Sequence, residues 1–304
     1  MAELLVVGSV ALDTVQTPFG KVQEVLGGSA TYFSYAASFF TRVRLVAAVG
    51  SDFPEQHLRF LRERGVDLSG LTTQPNGRTF RWTGEYGYDL NEAKTLDTQL
   101  NVLADFRPAL GEGARRAPFL FLANIDPQLQ LEVVGQMAAR PRLIALDTMN
   151  FWIQGKREAL LRVLREVDVI TINEGEARQL AGEPNLIKAA RAIAALGPRT
   201  VVVKRGEYGA LMLTEGGFFV VPAYPLDSVY DPTGAGDTFA GGFMGYLAAQ
   251  ESLDVSTVRR AVVYGSVMAS FTVEDFSLDR LARLKSPEIA ERYAAFHELI
   301  RLPG

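Results

Sequence analysis

The sequence contains no cysteine, so disulfides, thiolate catalysis and Cys-ligated zinc are excluded. Histidine is nearly as scarce. His57 and His297 are far apart, and neither belongs to a motif that a two-His metal site or a Ser-His-Asp triad would need. No run of Lys and Arg forms a basic footprint, and 31 basic against 35 acidic residues leave a net charge of −4, so no nucleic-acid partner is expected. Uninterrupted apolar runs of about 18 residues, the length of a membrane span, are missing. The most apolar stretch, 234–249, carries Asp237 and reads as a buried helix. The amino terminus, MAELLVVGS, has neither a basic leader nor a small-residue cleavage site, so a soluble cytoplasmic protein without a membrane partner is expected. The P-loop pattern G-x-x-x-x-G-K-[ST] and the dinucleotide pattern G-x-G-x-x-G are also absent.

What remains is ordinary globular composition, 48% hydrophobic and 22% charged, over 304 residues. That length fits one large α/β domain or two smaller ones. Short apolar runs recur at Leu4–Val7, Arg44–Val49, Phe119–Ala123, Leu143–Leu146, Val167–Ile172 and Thr200–Val203. Strands buried on both faces have this composition and belong to parallel sheets. Segments with helical spacing lie between and after them, at about 28–40, 54–64, 129–139, 156–165, 186–196, 237–250, 254–270 and 287–300. The alternation predicts a doubly wound, mostly parallel sheet with helices on both faces and ligands at the carboxyl ends of its strands.

Residues 13–26 and 78–101 break that rhythm with alternating polar and apolar residues rich in Thr, Val and aromatics, the pattern of half-exposed antiparallel ribbons. Turns are expected at Phe19-Gly20 and within 87–91, and alternation puts Phe80, Trp82, Tyr86 and Tyr88 on one face. Both ribbons follow strand ends, so together they predict a small antiparallel β lid over the ligand side. With no repeat or linker in the chain, one domain is expected over 1–304. The open edges of such a lid would also suit a homodimer contact.

One motif decides the chemistry. Asp231-Pro232-Thr233-Gly234-Ala235-Gly236-Asp237 precedes an apolar helix. Small residues at 234–236 let backbone N–H groups approach an anion at a positive helix start. Asp237 would repel that anion and cannot be there to bind it. A carboxylate at this position suits a general base, taking a proton from a hydroxyl that attacks a phosphoryl group. An ordinary Gly-rich turn with an N-cap Asp is the alternative.

These residues, DPTGAGD, resemble the carboxy-terminal signature of the ribokinase (PfkB) family of carbohydrate and nucleoside kinases. The resemblance runs through essentially the whole chain in family order. Val6-Val7-Gly8-Ser9 with Asp13 looks like the first strand and its substrate carboxylate, and Gly27-Gly28 like the di-glycine motif. Asn173-Glu174-Gly175-Glu176 fits the N-x-x-E motif, and Lys204-Arg205-Gly206-Glu207-Tyr208-Gly209 the K-x-G-x-x-G nucleotide loop.

The resemblance implies an ATP-dependent phosphotransferase acting on a hydroxymethyl group of a small sugar. A nucleoside acceptor or a non-catalytic ligand-binding relative are the alternatives. It implies Asp237 as base, Gly234, Ala235 and Gly236 as the anion hole, and Asp13, Gly27 and Gly28 at the acceptor. Asn124, Asp147 and Asn150, which follow strands, are expected to border it. Asn173, Lys204, Gly206 and Gly209 would hold the nucleotide. Glu176 would reach Mg²⁺ through water, although Asn173 and Glu176 also fit a helix capping box. Asp231 and Thr233 resemble positions that hold a monovalent cation, leaving K⁺ activation open. The chain departs from the family at Tyr32, where relatives often carry Asn, and at Pro232, where Thr or Ser is usual. It also lacks the expected glycine within 273–276.

Overall fold

The computed structural model describes residues 2–301, so Met1 and residues 302–304 of the domain expected over 1–304 lie outside the described range. The chain opens with β1 (Glu3–Val7), the hairpin β2 (Ala11–Thr17) and β3 (Gly20–Gly27), and α1 (Ser29–Ala37). β4 (Arg42–Gly50), α2 (Glu55–Glu63) and β5 (Asp67–Gln74) follow, then a second hairpin, β6 (Phe80–Tyr86) and β7 (Ala93–Gln99). Next come β8 (Phe119–Leu122), α3 (Pro127–Gln136), β9 (Leu143–Asp147), α4 (Asn150–Gly155), α5 (Arg157–Leu164), β10 (Val169–Asn173), α6 (Glu174–Ala181), α7 (Leu186–Ala194) and β11 (Thr200–Lys204). A hairpin of β12 (Ala210–Thr214) and β13 (Gly217–Val221) precedes α8 (Ala235–Ala248), α9 (Val255–Thr272), α10 (Asp279–Arg283) and α11 (Ser286–Leu299).

Nine strands form one sheet in the order β13-β12-β11-β10-β9-β8-β1-β4-β5. It is parallel from β11 to β5, and the antiparallel hairpin β12–β13 closes one edge. Alternate residues of each strand enter two cores. Leu4, Val6, Leu45 and Phe121 pack beneath α1, α2, α8 and α9. Leu5, Val7, Val46 and Leu122 pack beneath α3, α5, α6 and α7. The result is the expected three-layer, doubly wound α/β architecture. Strand order reverses between β1 and β8, so their carboxyl ends frame the ligand crevice.

Small residues in α8 explain its placement. A side chain at Gly241 would meet the Phe33 carbonyl of α1, and one at Gly242 would lie 2.8 Å from Met268 of α9. Their absence lets α8 lie between these helices and fixes where its amino terminus enters the crevice. Phe33 anchors α1 to the sheet by stacking on Phe121 at 3.9 Å.

The two hairpins form a second sheet, ordered β3-β2-β6-β7. Each hairpin is antiparallel as expected, and the seam between them is a parallel pairing of β2 with β6, from Ala11 opposite Phe80 to Gln16 opposite Glu85. The first turn falls on residues 18–19, and β6 ends at Tyr86. Tyr88, expected on the aromatic face, therefore lies past the strand and is 95% exposed. β5, β12, β13 and the short helices α4, α6 and α10 lie outside the segments expected from periodicity. β5 (DLSGLTTQ) is a half-exposed edge strand with a polar pattern, and the three helices are too short to establish a period.

Candidate active site

The loop 231–237 is held from within. The Asp231 carboxylate, 1% exposed, accepts the Thr233 N–H at 2.9 Å and the Ser277 N–H at 3.3 Å. Burial pushes its pKa up, and the Thr233 and Ser277 donors oppose that rise. With these bonds, Asp231 ties the loop to the segment before α10. The Tyr32 ring of α1 lies across Gly234, where any side chain would strike it. The Ala235 N–H donates to the Pro232 carbonyl at 3.1 Å, and the Thr238 N–H to Gly234 at 2.8 Å. Ala235, expected as one of three anion donors, thus has its N–H engaged in the turn, which leaves Gly234 and Gly236 as the other two.

Beside this helix start lies a charge cluster. Lys204 ends β11 and Asp147 ends β9, with β10 between them, and their side chains form an ion pair at 2.6 Å. Asp147 also accepts the Thr171 hydroxyl at 3.0 Å and the Thr148 N–H at 2.8 Å. The Lys204 ammonium would lie 3.0 Å from a Cβ built on Gly236, so it borders the first turn of α8. Asp147, expected at the acceptor, and Lys204, expected at the nucleotide, therefore meet each other next to Asp237.

Electrostatics follow from that convergence. Burial, then the Asp147 charge, pushes the Asp237 carboxyl up to about 7, with the Lys204 ammonium and its own N–H opposing. Glu176 is raised to about 7 by burial and by Asp147, again against Lys204. Burial would lower Lys204, but Asp147, Asp237 and Glu176 hold its pKa above the ordinary lysine value. Asn173 and Glu176 make a reciprocal cap on α6: the Glu176 N–H donates to Asn173 Oδ1 at 2.8 Å and the Asn173 N–H to Glu176 Oε2 at 3.1 Å. No group of three or more His, Cys, Asp or Glu forms a protein metal cage among the described residues. The charges of Asp147, Asp237 and Glu176 all act on the one Lys204 ammonium, leaving the region with excess negative charge. That suits a hydrated dication arriving with phosphates.

Asp13 lies across the crevice on β2, buried. Burial lifts its carboxyl to about 7, a Gly28 N–H opposes, and Asp231 and Asp237 add to the rise. Gly27, two residues along β3 from Val25, the register partner of Asp13, makes room for this carboxylate: a Cβ there would fall on Asp13 Oδ2. Asn124 follows β8 and accepts the Trp152 indole N–H at 2.9 Å. Asn150, by contrast, is exposed at the first position of α4 and its side chain accepts the adjacent Phe151 N–H, so its recorded bond is to its own helix and not to these residues.

The lid reaches both loops. Thr233 Oγ1 donates to the Tyr86 hydroxyl at 3.3 Å. The Trp82 indole lies over Gly84 and donates to Thr95 at 3.2 Å. At the turn after β6, Asn91 bonds to Glu207 in the loop of Gly206 and Gly209. On the other hairpin, Phe19 packs edge-on against Tyr230 at 6.0 Å.

A family model described as pfkB family carbohydrate kinase matches residues 1–280. The chain belongs to this family. It is 31% identical over 248 residues to a cytidine kinase of Thermococcus kodakarensis, covering 80% of this chain and 88% of that one. Among solved structures, the nucleoside kinase of Methanocaldococcus jannaschii matches with a TM-score of 0.77 and 19% identity, covering 97% and 99% of the two chains. A fructokinase from Vibrio cholerae, solved with fructose, ADP and calcium, matches with a TM-score of 0.75 and 20% identity over 92% and 96%. The fold is ribokinase-like, and the chain is a phosphotransferase of the sugar and nucleoside kinase class.

Sequence reasoning missed several participants in this kinase. Thr171 and Ser277 are single hydroxyl residues with no motif around them, and only the fold brings them to Asp147 and Asp231. Asn91 had one faint signal, its place in a turn between two ribbon strands.

Proposed function

We propose that this kinase transfers the γ-phosphoryl group of ATP to the hydroxymethyl group of a nucleoside, with Asp237 as general base. The observation that carries the reading is the Asp237 carboxylate at the start of α8, raised to about 7 and bordered by the Lys204–Asp147 pair. A base of that pKa is about half ionised at neutral pH and, once ionised, accepts a proton readily. In the reaction, the acceptor O–H gives its proton to Asp237 as the oxygen attacks the γ-phosphorus. The bond to the β-phosphate oxygen breaks and ADP leaves. The Gly234 and Gly236 N–H groups and the positive end of α8 stabilise charge on the transferring group, with Ala235 shaping the turn. Asp13 accepts hydrogen bonds from the remaining acceptor hydroxyls, and Gly27 and Gly28 leave room for them; Asn124 borders the same space. Lys204 and the loop of Gly206 and Gly209 face the nucleotide.

Glu176, with Asp147 nearby and Asn173 fixing its carboxylate, would hold a hydrated Mg²⁺, which neutralises phosphate charge when bound. Asp231 and Thr233 would face a monovalent cation such as K⁺.

The nucleoside acceptor is supported by the 31% identity to a cytidine kinase and by Trp82 and Tyr86 on the lid, whose rings suit a base. A small sugar is the second reading, favoured by the match of residues 1–280 to a carbohydrate kinase family model. ADP release with Mg-ATP across nucleosides, sugars and sugar acids tests both. One class should respond, and Asp237→Asn should lower kcat by orders of magnitude while nucleotide binding persists. Unchanged turnover in that variant would overturn the role of Asp237. A homodimer through the lid would cover β7, exposed along all seven residues, and light scattering at the monomer mass would dismiss it.

A further inference from the structure

The loop after β11 is anchored at its base and open at its tip. The Arg205 N–H donates to the Gly209 carbonyl at 2.8 Å, and the Arg205 guanidinium pairs with Glu174 at 2.8 Å. Gly206 and Glu207 at the tip are exposed. Their partner comes from the other sheet, 116 residues away in sequence. The Glu207 N–H donates to Asn91 Oδ1 at 3.2 Å, and Asn91 Nδ2 donates back to Glu207 Oε1 at 3.1 Å. Asp89 Oδ1 orients the amide, accepting the Asn91 backbone N–H at 2.9 Å and Nδ2 at 3.1 Å. Every hydrogen of the Asn91 amide, and its oxygen, has a partner, so its orientation is set from both sides.

Gly206 records the same contact in its backbone. Its φ of +53° is left-handed, and a Cβ there would land on Asn91 Oδ1. The loop is therefore shaped around the lid residue. A few residues before Asn91, Tyr86 accepts its bond from Thr233 of the anion loop. One hairpin end thus touches both loops assigned to the phosphoryl donor. The same sheet carries Asp13, which pairs in register with Trp82.

We infer that the lid turn is a working part of the nucleotide site, with Asn91 as the positioning residue that sets the 205–209 loop. This rests on reading that loop as the nucleotide loop. Nucleotide affinity then depends on the lid being down, and acceptor and donor sites communicate through one four-stranded sheet.

The test combines hydrogen exchange of the ligand-free protein with calorimetric titration of Mg²⁺ and a non-hydrolysable ATP analogue. It uses Asn91→Ala, Gly206→Ala and the double variant. Asn91→Ala should speed exchange of the amides at 206–208 and weaken analogue binding by about five- to tenfold, the loss of one or two exposed-loop hydrogen bonds, without shifting Tm. Gly206→Ala should weaken binding more. Part of that penalty should vanish in the Asn91→Ala background, because the amide it strikes is gone. A merely structural role for Asn91 predicts a lower Tm with unchanged analogue affinity. Unchanged exchange in Asn91→Ala, or strict additivity, overturns the inference. Faster exchange with unchanged analogue affinity also overturns it, and leaves the kinase reading standing if turnover persists. A wild type that binds no analogue would defeat the loop assignment and the inference together.

Discussion

The Lys204 ammonium lies 2.6 Å from the Asp147 carboxylate, and the two side chains are 15% and 5% exposed. Thr171 and Thr148 satisfy the rest of Asp147, and Asp237 and Glu176 contribute further negative charge. Removing the lysine therefore strands several carboxylates with no counter-charge. Lys204→Met should lower unfolding free energy by about 3–5 kcal/mol, the usual cost of breaking one side of a buried pair. Asp147→Asn should cost less, because Lys204 keeps Asp237 and Glu176 as neighbours. Combining the two should recover part of the loss. Urea titration reads all three, and an unmoved midpoint in Lys204→Met would show that water already screens the pair.

Asp13 and Asp237 are both raised to about 7 and both are assigned to act as carboxylates. As pH falls through 7 each gains a proton and its role is lost. The acid limb of kcat/KM for the acceptor should therefore bend near pH 7 with a slope approaching two. Residual activity of Asp13→Asn should show a slope nearer one. A flat profile between pH 8 and 6 would contradict both assignments.

Stability should move the other way. The folded protein holds the Asp13 proton up to about 7, whereas an unfolded aspartate releases it near 4. That contribution to stability is complete below pH 4 and disappears as pH rises through 7. Asp13→Asn cannot ionise, so its Tm should exceed that of the ligand-free wild type most clearly above pH 7, and the two should converge toward pH 4. An advantage that is constant with pH would mean the substitution acts through packing.

Glu176 serves as the N3 residue of a cap and as a carboxylate facing Lys204, and the two uses separate experimentally. Glutamine caps as well as glutamate. Glu176→Gln should not lower Tm, and should raise it above pH 7 where the wild-type carboxylate ionises, yet it should raise the Mg²⁺ concentration needed for half-maximal rate. Asn173→Ala removes the other half of the box and should cost about 1 kcal/mol of stability. If both variants lowered Tm alike with no change in Mg²⁺ dependence, Glu176 would be a capping residue and nothing more.

Much of this was legible because the relevant signals are local. Two-sided burial makes β1, β8, β9 and β10 continuous apolar runs, and 231–237 carries its chemistry in seven adjacent residues. The capping box at Asn173 and Glu176 could likewise be read from spacing alone. Contacts across sequence distance could not. Nothing in the stretch DTMNFW shows that Asp147 turns to a lysine 57 residues later. Nothing in the ribbons shows that β2 pairs in parallel with β6. Tyr86 and Tyr88 looked equivalent by alternation, until the end of β6 left one bonded to Thr233 and the other in solvent. Asn150 and Asn124 both follow strands, yet one bonds only to the next residue of its own helix and the other meets Trp152.

Gly27 offers the sharpest local test of the acceptor site. Its missing side chain is where the Asp13 carboxylate lies. The methyl of Gly27→Ala must push that carboxylate away while leaving the anion loop and Lys204 untouched. Loss of hydrogen bonds to a charged acceptor predicts an acceptor KM raised about 10- to 100-fold, with little change in the KM for ATP. In an Asp13→Ala background the same methyl has nothing to strike, so its added effect should be small. Equal increases in both KM values, accompanied by a fall in Tm, would mean that Gly27 serves only the packing of β3 against β2, and would remove the main geometric support for Asp13 as the acceptor's carboxylate.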